Sequence, residues 1–139
     1  MTVHVVAGLL QRDNTLLIAE RPPGKPYSGY WEFPGGKIEP NEKSEHALKR
    51  ELHEELGIEV ISSRHLFTHH YSYPDKHVIL EVWLVEEFSG EPYGKENQEL
   101  RWLTHEEMLQ LPMLEGNWPI IEKVTSKLKK RNTHGKSIS

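Results

Sequence analysis

The sequence contains no cysteine, so disulfide bonds, cysteine-ligated zinc and thiol nucleophiles are excluded. It also lacks an excess of positive charge, since 17 Lys and Arg against 21 Asp and Glu leave a net charge of −4. Without a strong basic field, we expect no polymeric nucleic acid as partner. A small phosphate ligand that carries its own divalent counter-ion is compatible with this charge.

Long hydrophobic runs are absent as well. The apolar stretch at residues 5–10 is interrupted only by Gly8 and is far shorter than the ~20 residues of a membrane span. No basic segment precedes it, so we expect no signal peptide, no membrane partner and a cytoplasmic location. The 139 residues, of which 36% are hydrophobic and 27% charged, are typical of one compact globular domain.

The order of apolar patterns along the chain predicts an α/β fold. Short apolar or β-branched runs predict strands at 3–10, 16–19, 59–61, 67–73, 77–88 and 100–103. Turns are predicted at 12–14 and 73–76, and the short apolar piece at 31–33 is ended by Pro34-Gly35-Gly36. We expect a mixed β-sheet between helices, an α/β/α sandwich.

Three helices are predicted between and after these strands. Ala47 and the leucines at 48, 52 and 56, which are four residues apart, indicate a helix over 42–56, which Gly57 would end in a left-handed conformation. Thr104 and Glu107 are spaced as a capping box for a short helix that ends near Pro112. Pro119 would open a last helix to about residue 130. We expect a single domain over 1–131 and a frayed tail over 132–139.

The residues with the clearest chemistry lie on the predicted 42–56 helix. Glu51, Glu54 and Glu55 fall within one turn, where like charges repel unless a hard cation lies among them. Mg²⁺ prefers such oxygen ligands and keeps waters and substrate phosphates in its shell. Arg50 would orient two of the carboxylates. The alternative for an isolated Glu-x-x-Glu-Glu is a solvated helix face.

The wider segment decides between these interpretations. Gly36, five residues, Glu42, seven residues and then Arg50-Glu51-Leu52-His53-Glu54-Glu55-Leu56-Gly57-Ile58 resembles a complete Nudix box. Three further segments, and Asn117, are similar to the MutT branch of the Nudix hydrolases: 31–39, 73–77 and 90–96. Asn41 departs from the frequent glycine, but asparagine also tolerates a left-handed backbone.

The resemblance implies a Nudix fold and a Mg²⁺-dependent nucleoside triphosphate pyrophosphohydrolase, with Mn²⁺ as a substitute ion. Residues carried over as metal ligands are the Gly36 carbonyl, Glu51, Glu54, Glu55 and Glu96. The resemblance also implies that Glu51, Glu54 and Arg50 are the catalytic residues. Glu51 is our preferred general base, with Glu96 and Glu54 as alternatives. The expected partner is a nucleoside triphosphate, and we expect a monomer.

The substrate-binding residues carried over are Arg21, Phe33, Asp75, Lys76 and Asn117. Lys76 stands where relatives carry arginine and lacks the bidentate fork. Asn117 resembles the base-recognising asparagine of 8-oxo-dGTP-cleaving enzymes, although it could instead cap the helix at Pro119. Phe33 could equally be core. A three-histidine metal site at His69, His70 and His77 is disfavoured, since adjacent strand residues point to opposite faces.

Three functions stay open from the sequence. The first is hydrolysis of 8-oxo-dGTP to 8-oxo-dGMP and pyrophosphate, which would sanitise the nucleotide pool and prevent mutation. The second is a pyrophosphohydrolase for CTP, dCTP or modified cytidine triphosphates, because those relatives share the Arg-Pro loop and the Trp-Glu-Phe segment. The third is a non-catalytic nucleotide-binding Nudix module, which the complete set of carboxylates disfavours.

Overall fold

The computed structural model describes residues 1–124, and these form a mixed sheet with helices on both faces. The strands are β1 (Thr2–Arg12), β2 (Thr15–Glu20), β3 (Trp31–Glu32), β4 (Gly35–Lys37), β5 (Glu59–Tyr73), β6 (Lys76–Ser89) and β7 (Leu100–Leu103). The helices are α1 (Ser44–Leu56), α2 (His105–Met108), a 3₁₀ turn (Glu115–Asn117) and a last helix over residues 118–124. The predicted domain end at 131 and the tail at 132–139 lie outside the described residues.

The sheet is mixed because β1 and β6 run parallel while the other pairs are antiparallel. Its main path is β3-β2-β1-β6-β5, with β4 paired to β1 and β7 paired to β2. The parallel pair is in register from Thr2 opposite His77 to Leu10 opposite Val85. Within residues 1–124, no helix is long and apolar enough to cross a membrane.

Alternation along β1 builds a core on each side of the sheet. Val6 and Leu10 pack with the buried leucines of α1, whereas Ala7 and Leu9 pack on the other side with Met108 and the last helix. The predicted α/β/α sandwich is therefore confirmed. The left-handed cap at Gly57 (φ 72°) and the capping box of Thr104 with Glu107 are confirmed as well.

Three predictions about the strands and α1 are corrected. Strands predicted at 59–61 and 67–73 are one strand, β5, whose register against β6 shifts at bulges between residues 60 and 67. Gly35 and Gly36 were expected only to end the apolar piece at 31–33, but they form strand β4. A Cβ atom at Gly35 would collide with the Val6 carbonyl oxygen, so glycine lets β4 lie close against β1. Helix α1 begins at Ser44, so Glu42 lies before it rather than on it.

Candidate active site

A cavity of about 720 Å³ opens on the sheet face opposite α1 and continues to the end of that helix. Its wall combines loop 21–27, strands β3 and β4, the β5–β6 turn and the residues around Asn117. Eight of the predicted site residues line it: Arg21, Phe33, Gly36, Glu55, Asp75, Lys76, Glu96 and Asn117. The fold thus brings predicted metal ligands and predicted substrate contacts into one space.

Arg50, Glu51 and Glu54 form a network just behind that wall. The Arg50 guanidinium donates to both Glu42 oxygens at 2.8 and 2.9 Å, to Glu51 Oε1 at 2.8 Å and to the Lys37 carbonyl at 3.0 Å. These bonds lower the pKa of Glu42 to about 2 and raise the pKa of Arg50. Arg50 therefore fixes the Glu51 carboxylate and ties α1 to β4.

Glu51 lies directly against the backbone of Gly36. A Cβ atom at Gly36 would come within 2.5 Å of the Glu51 carboxyl carbon, so any larger residue there would displace this carboxylate. Glu51 is 15% exposed, whereas Glu54 is 58% exposed and lies 3.6 Å from Arg50. The structure brings Glu51 and Gly36 together and leaves Glu54 at the surface.

Glu55 carries the strongest electrostatic signal of the site. Burial, followed by the neighbouring Glu51, Glu32 and Glu96 carboxylates, raises the pKa of the Glu55 carboxyl to about 9. Four carboxyl groups therefore face one another across a partly buried space. A divalent cation relieves both the repulsion and the burial cost, so this donor set fits a hard metal ion.

Glu96 reaches the helix because its loop is bound to the last turn of α1. Both the Lys95 backbone N–H and the Gln98 Nε2 group donate to the Glu55 carbonyl at 3.1 Å. The Gln98 Oε1 atom accepts from the Glu96 N–H at 2.8 Å, and Gln98 is buried. Gln98 was not predicted as a site residue, and the only signal in the sequence was an amide side chain two residues after the predicted ligand Glu96.

Arg21 is paired with Glu32, a carboxylate that was not predicted to belong to the site. Its Nη1 atom donates to Glu32 Oε2 at 3.2 Å, and its Nε atom donates to the Pro26 carbonyl at 3.1 Å. Burial raises the pKa of Glu32 in spite of this pairing. Glu32 stands in the Trp31-Glu32-Phe33 segment, and its charge between two apolar residues on a strand was the available signal.

The far end of the cavity holds the residues predicted to read the base. Phe33 lines the cavity but is only 4% exposed and also belongs to the hydrophobic core. The Asn117 Oδ1 atom accepts from the Phe33 N–H at 3.1 Å, and its Nδ2 atom donates to the Leu114 carbonyl at 3.4 Å. Lys76 lies over the Tyr73 ring, with Nζ 5.4 Å from its centroid.

The carboxylates are not arranged as a closed metal cage. Among residues 1–124, no group of three or more His, Asp or Glu side chains is positioned to hold an ion. Arg50 holds Glu51 Oε1 at 2.8 Å and lies 3.6 Å from Glu54, which is 58% exposed. The set of metal ligands therefore stays a prediction, in which these side chains turn toward the ion.

Comparison with known proteins places this geometry in a family. The NUDIX domain model matches residues 1–124. The CTP pyrophosphohydrolase of Escherichia coli (strain K12) is 39% identical over 120 residues, which are 86% of this chain and 89% of the relative. The 8-oxo-dGTP diphosphatase of Proteus vulgaris is 44% identical over 90 residues, 64% of this chain and 80% of the relative.

Solved structures agree with this assignment. The solution structure of the Escherichia coli ORF135 protein matches with a TM-score of 0.80 and 38% sequence identity, over 90% of this chain and 89% of that one. The predicted Nudix fold is confirmed by this match together with the family model. The chain belongs to the Nudix hydrolase family.

Proposed function

We propose that this chain hydrolyses 8-oxo-dGTP to 8-oxo-dGMP and pyrophosphate. The observation that carries the proposal is the single cavity that joins a carboxylate cluster at one end to Asn117 and Phe33 at the other. Relatives named 8-oxo-dGTP diphosphatase support it. Water would attack the β-phosphorus, and the bond between that phosphorus and the oxygen bridging the α- and β-phosphates would break. The bridging oxygen would leave with the nucleoside monophosphate, and the water oxygen would stay in the pyrophosphate.

Nudix hydrolases generally need a divalent metal ion, and we propose Mg²⁺ here, with Mn²⁺ as a substitute. Five groups would hold it: the Gly36 carbonyl, Glu51, Glu54, Glu55 and Glu96. When bound, the ion polarises phosphoryl oxygens and offsets the negative charge of the leaving group.

The chain's own residues would then position and deprotonate the water. Glu51 is our preferred general base, with Glu54 and Glu96 as alternatives, and Arg50 holds the Glu51 carboxylate at 2.8 Å. Arg21 and Lys76 line the cavity and would contact phosphate oxygens. We further propose that the chain acts as a monomer in the cytoplasm, on free nucleotides rather than on nucleic acid.

Asn117 is the residue we assign to the base. Its amide offers two acceptor and two donor positions, and the bonds to Phe33 and Leu114 occupy one of each. Within residues 1–124 no other group occupies the second acceptor and the second donor position, and the two backbone bonds hold the amide in a fixed orientation. A purine edge that presents a donor beside an acceptor would form two hydrogen bonds with the remaining positions of the Asn117 amide. This complementarity supports 8-oxoguanine as the base.

The test compares kcat/KM for 8-oxo-dGTP, dGTP, dCTP and 5-methyl-dCTP, with monophosphate and pyrophosphate measured separately. We expect 8-oxo-dGTP to be preferred by at least about tenfold, the effect of one lost hydrogen-bond pair. Asn117→Asp keeps the acceptor for the Phe33 N–H but loses the donor, so it should remove the preference without unfolding the protein. Equal values for 8-oxo-dGTP and dGTP would contradict the proposal.

A pyrophosphohydrolase for CTP, dCTP or modified cytidine triphosphates is the second candidate. It is supported by the CTP pyrophosphohydrolase of Escherichia coli (strain K12), which is 39% identical over 86% of this chain, against 35% over 88% for the 8-oxo-dGTP diphosphatase of the same organism. A preference for dCTP that survives in Asn117→Asp would select it. If the unchanged protein shows no more turnover with Mg²⁺ than the Glu51→Gln variant, the chain is instead a non-catalytic nucleotide-binding module.

A further inference from the structure

Two histidines meet on the sheet face that points away from the cavity. Tyr71 and Tyr73 of β5 line the cavity, so the alternating His70 and Ser72 face the opposite side. His77 of β6 lies opposite Ser72 and therefore shares that face. The His70 Nδ1 and His77 Nε2 atoms are 3.1 Å apart, and the two ring centroids are 5.3 Å apart.

We propose that His70 and His77 bind one divalent transition-metal ion. Imidazole nitrogens bind such ions at about 2.0–2.1 Å. With bonds of about 2.05 Å to one ion, two nitrogens that stay 3.1 Å apart give a nitrogen–metal–nitrogen angle of about 98°. That angle lies between octahedral and tetrahedral geometry. The ion replaces the proton that the two nitrogens now share.

Ser72 orients the ligand on β6. Its Oγ atom lies 2.9 Å from His77 Nδ1, so that nitrogen can carry the proton and leave Nε2 free for the ion. His70 is exposed and His77 is half-buried, which gives the ion access to both from solvent. Both rings must turn to direct their nitrogens at one ion, because the separations of 3.1 Å between nitrogens and 5.3 Å between ring centroids place the nitrogens nearly on the line between the rings.

The chemistry of the pair selects the metal. Neutral imidazole suits Cu²⁺, Ni²⁺ and Zn²⁺, whereas Mg²⁺ requires oxygen ligands. Because no group of three His, Asp or Glu side chains in residues 1–124 could hold an ion, two protein ligands and water complete the shell. Cu²⁺ should bind most tightly of these ions. The site therefore differs in place and in metal from the carboxylate cluster.

The experiment titrates untagged protein with Cu²⁺ in millimolar Mg²⁺, which occupies the carboxylates, and follows binding by calorimetry and by electron paramagnetic resonance. We expect one site with two coordinating nitrogens in the superhyperfine pattern. His70→Ala and His77→Ala should each weaken this binding at least about tenfold and leave one nitrogen. Both variants keep all the other histidines of the chain.

His69→Gln is the matched control, because His69 is adjacent in sequence and packs against Tyr71 on the cavity face. It should bind Cu²⁺ like the unchanged protein. Should His77→Ala fail to fold by circular dichroism, His70→Gln at the exposed position carries the test. Equal affinity and equal nitrogen number in the unchanged protein and the His70 variants would overturn the proposal, as would an equal loss in His69→Gln.

Discussion

Mg²⁺ binding to the metal-free protein should release about one proton at neutral pH. Burial and the Glu51, Glu32 and Glu96 carboxylates raise the pKa of Glu55 to about 9, two units above pH 7. The protonated form then exceeds the carboxylate by about a hundredfold, whereas a metal ligand must be ionised. The apparent affinity for Mg²⁺ should therefore rise about tenfold per pH unit as pH approaches 9.

Calorimetry in two buffers with different ionisation enthalpies measures this proton. The difference between the two observed enthalpies gives the number of protons released, which we expect near one for the unchanged protein and near zero for Glu55→Gln. Glu45→Gln, at the exposed start of α1, is the control and should release as many protons as the unchanged protein. Proton release near zero in the unchanged protein, with an affinity flat across this pH range, would refute the reasoning.

The same shift sets the stability of the metal-free protein. A carboxyl whose folded pKa is raised stabilises the fold fully below its unfolded pKa of 4.5, and this contribution is lost as pH rises through about 9. Thermal unfolding without metal should therefore occur at a lower temperature at pH 8 than at pH 6. Added Mg²⁺ should reverse this trend, because the ion binds the ionised form.

Three substitutions test two groups of the carboxylate cluster and the core that supports α1. Gly36→Ala places a Cβ within 2.5 Å of the Glu51 carboxyl carbon and should lower kcat about a hundredfold with little change in circular dichroism; unchanged kcat would contradict it. Arg50→Lys loses the two-pronged bond to Glu42 and should lower kcat/KM, measured with Mg²⁺, more than tenfold, and full activity would show that charge alone suffices. Leu52→Ala, fully buried, should cost about 2–5 kcal/mol in urea unfolding, and a smaller cost would mean that the core collapses around the gap.

Helix α1 and its end could be predicted because their signals are local. The leucine spacing and Gly57 act within one or two turns, and neither depends on the rest of the chain. Strand β5 could not be predicted as one element, because bulges at residues 60–67 break the alternation that marks a strand. Strand β4 was missed because its glycines carry no apolar pattern and are specified only by close contact with β1.

The identity of the α1 carboxylates was predictable, but their separate environments were not. Helical spacing puts Glu51, Glu54 and Glu55 within one turn, and it treats all three alike. Their difference arises from distant segments: β4 covers Glu51 at Gly36, and the loop that carries Glu96 closes over Glu55. Glu54 has neither cover and stays exposed. Because tertiary contacts alone separate these glutamates, a shared motif does not imply equal roles, and Glu55 is the member whose charge depends on the metal.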